Sequence, residues 1–123
     1  MLIMKKILLL LIAMFSLVWW SQASESYVYF YGNSCAHCLK VEKYFEENSI
    51  EESYKISKHE VFENAENRDL LSSYLKKLNL SRSQVWTPFM VIESGGQFNS
   101  LMGDVDIIAY FSALQKWENL DLD

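Results

Sequence analysis

Apolar positions along the chain fall into one long run followed by segments of two different periods. Ile7 to Trp20 is almost unbroken, with only Ser16 interrupting. Tyr27-Val28-Tyr29-Phe30-Tyr31, all aromatic or β-branched, ends at Gly32-Asn33 and predicts a strand closed by a turn. Beyond it Val41, Tyr44, Phe45 and Asn48 fall at helical spacing, predicting a helix from about Cys35 to Asn48. Tyr54-Lys55-Ile56 predicts a short second strand near Ser53 to Ser57. Leu71, Tyr74, Leu75 and Leu78 mark an amphipathic helix from about Glu66 to Leu78, whose acidic first turn and Lys76-Lys77 end both suit the helix dipole.

After Thr87-Pro88, the segment Phe89 to Ile92, the pair Gly95-Gly96 and the extended run Gln97 to Met102 read as a hairpin. A last helix follows Gly103, with Asp104 expected as its N-cap and Ile107, Tyr110, Phe111 and Leu114 on one face. The predicted order is β-α-β-α-β-β-α. Its economical packing is an α/β fold, a central mixed four-stranded sheet flanked by three helices.

Composition narrows this to a single domain. At 123 residues the chain is too short for two independent cores, and with 50% hydrophobic and 22% charged residues it is not a disordered one. Residues 1–23 are expected to be a signal peptide: Lys5 and Lys6 precede the apolar run, and Ser21-Gln22-Ala23 offers small residues for cleavage after Ala23. The alternative is an uncleaved anchor, but fourteen apolar residues cover about 21 Å of a ~30 Å hydrocarbon core. The domain is then residues 24–123, and its expected location is periplasmic or secreted. The leader holds two of eleven basic residues and none of sixteen acidic ones, so nine face sixteen in the domain and its net charge is −7. Such a surface repels nucleic acid and anionic lipid. Export also puts both cysteines where a disulfide persists.

The candidate chemistry lies in Cys35-Ala36-His37-Cys38, directly after a strand and turn and at the start of a helix. Unpaired backbone N–H groups and the positive dipole end favour a thiolate there. Cys35 is therefore expected to be the exposed nucleophile with a depressed pKa, and Cys38, one turn deeper, the resolving thiol. His37 is expected within reach of the Cys35 sulfur, favouring the thiolate further. A c-type haem site would need His where Leu39 stands. A closed zinc site would need four ligands, and only His37 and His59 could join the cysteines, so no metal is expected. A purely structural disulfide remains open, although so short a loop constrains the unfolded chain little. Trp86, two residues before Pro88, is kept as a candidate substrate contact, whereas most of the other aromatics are expected in the core.

These features together resemble the thioredoxin fold, close to the periplasmic Dsb-type and glutaredoxin-like members. The carriers are the strand Tyr27 to Tyr31, the Cys35–Cys38 helix start, the Thr87-Pro88 step and the Gly95-Gly96 hairpin with its terminal helix. The resemblance implies that Pro88 follows a cis bond and faces the sulfurs, and that Thr87 offers backbone hydrogen bonds to a substrate chain. It also likens His37 to the histidine of strongly oxidising members. The chain departs from thioredoxins at Tyr29, which replaces a buried carboxylate six residues before the nucleophile, and at Ser34, which replaces a Trp. The Tyr29 substitution leaves the proton acceptor for Cys38 unassigned.

The resulting expectation is an exported thiol–disulfide oxidoreductase that exchanges disulfides with protein cysteines. It needs no metal or organic cofactor and works as a monomer. Either a general role or dedication to a membrane electron donor or acceptor fits a domain this small. A non-catalytic binding module stapled by its disulfide is the alternative.

Overall fold

The computed structural model describes residues 1–18 and 24–121. Strand β1 (Ser26–Tyr31) lies inside a four-stranded sheet of order β2-β1-β3-β4. It runs parallel to β2 (Ile56–Glu60), with Tyr27 opposite Ile56 and Tyr31 opposite Glu60. On its other side it runs antiparallel to β3 (Phe89–Ser94), with Phe30 opposite Phe89. β4 (Gln97–Met102) completes the hairpin across Gly95 and Gly96, whose positive φ angles of 56° and 79° suit residues without a Cβ.

Because side chains alternate across a strand, β1 feeds two separate cores. Tyr27 and Tyr29 join Met90 and Ile92 against α2 (Ala36–Glu47) and α5 (Asp104–Leu120), where Val41, Phe45, Ile107 and Phe111 are buried. Phe111 sits among aromatic rings, 5.1 Å from Tyr27 and 5.3 Å from Phe45 between centroids. Val28 and Phe30 join Phe89 and Val91 on the opposite face, against Leu71 and Leu75 of α4 (Ala65–Lys77). Both cores match the helical faces read from the sequence, and α4 carries the expected Glu66 start and Lys76-Lys77 end.

Two expectations are corrected. The second strand is Ile56–Glu60 rather than Ser53 to Ser57, because Ile50–Ser53 forms a one-turn helix, α3, whose Ile50 is fully buried. This is an edge strand with polar residues on both faces, so no alternation marks its limits. The N-cap of α5 is Gly103, not Asp104. Gly103 takes φ 88°, and its N–H donates to the Pro88 carbonyl at 2.8 Å, leaving Asp104 as the first helical residue.

Near the N-terminus, Leu2–Val18 forms a helix, α1, with exposed side chains as far as Met14. Among the described residues no helix is long and apolar enough to cross a membrane. The expected cleavage site Ser21-Gln22-Ala23 lies outside the described residues.

Beyond β2 the chain clamps the loop that follows β1. The Val61 N–H donates to the Tyr31 carbonyl at 2.8 Å, and the Glu60 carboxylate accepts the N–H groups of Asn33, Phe62 and Glu63 at 3.1, 3.1 and 2.6 Å. The Phe62 ring lies over Gly32 so closely that a Cβ there would come within 2.2 Å of it. Partial burial works to raise the Glu60 carboxyl, but the N–H donors outweigh it and hold it below the ordinary carboxylate range. A carboxyl lowered in the folded state stabilises the fold above its unfolded pKa, and loses that contribution as pH falls through the folded value. Glu60→Gln is therefore expected to melt below the wild type at pH 7. The gap should close under acid, below the folded pKa of Glu60, and thermal melts across that range check it; a gap independent of pH contradicts the assignment.

Candidate active site

Cys35 occupies the N-cap of α2 in an extended conformation, at φ −97° and ψ 109°. Its Sγ accepts the Cys38 N–H at 3.1 Å, taking the place of the oxygen that usually caps a helix. Cys38, one turn into the helix, is bonded to Cys35 as a disulfide with 5.1 Å between the Cα atoms. The sequence placed Cys35 on the surface and Cys38 beneath it. Their order is right but the degree is corrected, since Cys35 is 9% exposed and Cys38 2%. The cause is tertiary: the segment before β3 folds back over the helix start.

That segment brings Thr87 to the sulfur. The Thr87 hydroxyl donates to Cys35 Sγ at 3.6 Å across 52 residues of sequence, and the Thr87-Pro88 bond is cis. Pro88 is buried immediately before β3, a position where a missing N–H removes no ladder bond. Trp86 is largely exposed, with its indole Nε1 beside Gly103. Thr87 thus meets Cys35 at one end of the sheet, with Trp86 and Pro88 on either side of it in the chain.

The His37 ring, expected within reach of the Cys35 sulfur, is exposed and directed to α5, with Nδ1 2.9 Å from Asp104 Oδ1. Lys40 Nζ lies 3.6 Å from the other carboxylate oxygen. The Asp104 side chain is only 14% exposed. Burial works to raise its carboxyl, yet its own backbone N–H and the charges of His37 and Lys40 prevail and hold it below the usual range. Asp104 is a site residue that the sequence reading missed. An acidic residue after a Gly reads as a helix cap, and the 67 residues separating it from His37 carry no periodic signal.

Tyr29 is completely buried, stacked on Tyr31 at 5.8 Å and packed against Phe45. Burial first, and then the nearby Glu42 charge, push its phenol well above the usual value, so it stays neutral. His59 lies on β2, with its ring beside Phe30 and away from the sulfurs. Among the described residues no group of three or more His, Cys, Asp or Glu could hold a metal ion.

No protein-family model and no curated protein matches the sequence. Solved structures do resemble it. One is thioredoxin O2 from Arabidopsis thaliana in the oxidised state, with 23% identity, a TM-score of 0.50, and 76% of this chain and 75% of that chain covered. Another is a disulphide isomerase from Xylella fastidiosa, with 17% identity, a TM-score of 0.54, and 76% and 79% covered. The sheet order, the helices on both faces and the strand-to-helix step at the disulfide agree with this likeness, and the chain therefore has the thioredoxin fold.

Proposed function

We propose that the protein is a thiol–disulfide oxidoreductase that exchanges disulfides with protein cysteines through Cys35 and Cys38. The observation that carries this reading is the set of donors aimed at one sulfur. Cys35 Sγ receives a helix N-terminal N–H and the Thr87 hydroxyl, and it is the more accessible of the pair. Donors placed in this way favour a thiolate, which is the attacking species in exchange. A staple would need neither the donors nor the difference in access. Cys35 attacks the client, Cys38 resolves the mixed disulfide, and Thr87, Pro88 and Trp86 line the client's path. Cys38→Ser is therefore expected to accumulate mixed disulfides with client proteins, whereas Cys35→Ser traps none. Non-reducing electrophoresis after acid quench checks this, and equal trapping by both or by neither removes the assignment.

His37 tunes the pair through charge rather than by contact with the sulfur. In His37→Ala the Asp104 carboxylate loses the ring nitrogen that meets it at 2.9 Å and keeps Lys40, and its negative charge beside the helix start then opposes a thiolate. The reduced form is destabilised relative to the disulfide. The exchange equilibrium with glutathione should move toward oxidised protein, on the order of tenfold, which corresponds to about 30 mV for two electrons. An unchanged equilibrium makes His37 a bystander. The wild-type potential decides the direction of electron flow.

The same proposal includes export. A basic start, an apolar run and Ser21-Gln22-Ala23 support cleavage after Ala23, with the domain acting as a monomer in the periplasm or outside the cell. A membrane electron donor or acceptor would restore its redox state. N-terminal sequencing of exported protein is expected to begin at Ser24, and recovery of intact Met1 in membranes refutes it.

A further inference from the structure

Cys38 raises a chemical demand that the residues discussed so far do not meet. If the exchange reading above holds, its thiol must lose a proton before it attacks, yet at 2% exposure it has almost no contact with bulk water. Tyr29, nearby on β1, is a phenol pushed further from ionisation, so it is no base at neutral pH.

Beside Cys38 lies a cavity of about 140 Å³ lined by Tyr31, Gly32, Asn33, Cys38, Leu39 and Glu42. Glu42 is the only carboxylate in that lining. It sits four residues after Cys38 on α2, and therefore on the same helical face. The cavity has room for water, which takes roughly 30 Å³ per molecule, to bridge thiol and carboxylate. Glu42 Oε1 is shut off from solvent and meets the Lys58 ammonium at 2.9 Å. Lys58 also lies 3.5 Å from Glu51 of α3. Burial works against the charge on Lys58, but the two carboxylates hold its pKa above the usual value.

We propose that Glu42, held by Lys58, is the proton acceptor for the Cys38 thiol and its proton donor in the reverse direction. The Lys58 ammonium holds the Glu42 carboxylate in place. When Glu42 takes the proton, Lys58 keeps Glu51 as its counter-charge, so no lone cation is left half-buried. In the reductive direction the Cys38 S–H bond breaks, and its proton passes through bridging water to Glu42. The Cys38 thiolate attacks Cys35 Sγ of the mixed disulfide, the Cys35–Cys38 bond forms, and the bond from Cys35 to the client sulfur breaks. The client leaves as a thiolate carrying the electron pair, and the proton on Glu42 returns to it through solvent. The dithiol is oxidised and the client disulfide is reduced; oxidation of a client runs the same steps backwards.

Other charged groups near Glu42 are Lys43 and Glu46 on its own helix, Glu51 and Glu52 of α3 and Lys58 of β2. Of these, only Glu42 also reaches the cavity at Cys38. The test follows decay of a mixed disulfide between Cys35 and a cysteine-containing peptide in single turnovers from pH 6 to 10, with Glu42→Gln against wild type. At pH 7 the variant is expected to resolve it on the order of a hundredfold more slowly, the lower end of what a general base contributes. The gap should shrink to within twofold near pH 10, where a thiol ionises unaided. The first attack by Cys35, measured in a Cys38→Ser background, should be unchanged within twofold. Glu42→Asp, which keeps the charge but withdraws it by one methylene, should fall between the two at pH 7 and carries the test if Glu42→Gln does not fold. Equal rates at pH 7, or a slowing of the same size at every pH, overturn the assignment, the latter because it marks a structural role. If Cys35 forms no mixed disulfide even in the Cys38→Ser background, the exchange reading fails and takes this assignment with it. That outcome is distinguishable, because it appears before any substitution at Glu42.

Discussion

Burial of β1 on both faces is the constraint on which the rest of the structure depends. Tyr27 and Tyr29 are held by α2 and α5, Val28 and Phe30 by α4, and the strand pairs on both edges with β2 and β3. With both faces and both edges committed, the strand cannot shift by one residue without turning every side chain to the wrong core. Its end at Tyr31 is therefore fixed in space, and so is the short turn that delivers Cys35 to the start of α2. Placement of the sulfurs is a consequence of core packing in the strand that ends four residues upstream of Cys35.

Around that fixed point, long-range contacts add the chemistry. The loop after β2 grips the turn through Glu60 and Phe62, while the segment before β3 sets Thr87 over Cys35. Gly103 ties this segment to α5 through the Pro88 carbonyl, which brings Asp104 to His37 and Lys40. These contacts converge on the disulfide from three directions. They differ in kind: a carboxylate accepting backbone N–H groups at Glu60, a ring packed on Gly32, a hydroxyl on the Cys35 sulfur, and a carboxylate shared by His37 and Lys40.

The domain is strongly acidic, yet its positive charge near the site is placed with care. Lys40 and Lys58 stand on opposite sides of α2, each beside a carboxylate, with Lys58 shared between Glu42 and Glu51. The carboxylates that could oppose a thiolate at the helix start are thereby compensated locally, despite the excess of acidic residues elsewhere.

The chain's local patterns determined the element order, the helical faces and the cysteine pair at a helix start. Each rests on spacing within a dozen residues: the aromatic run of β1, Leu71 with Leu75, Ile107 with Phe111, and Gly95-Gly96 between two extended runs. The limits of β2 were not legible, because an edge strand with polar residues on both faces carries no period. Nor were the partners of the site: the turn of His37 toward Asp104, the covering of Cys35 by the Thr87 segment, and the meeting of Glu42 with Lys58. Local sequence specifies which residues can form a helix or strand, since the interactions responsible lie within a turn or between alternate residues. Which side chain meets which across the fold is decided only when the sheet closes and its helices pack, because those contacts join residues that have no neighbourhood in sequence.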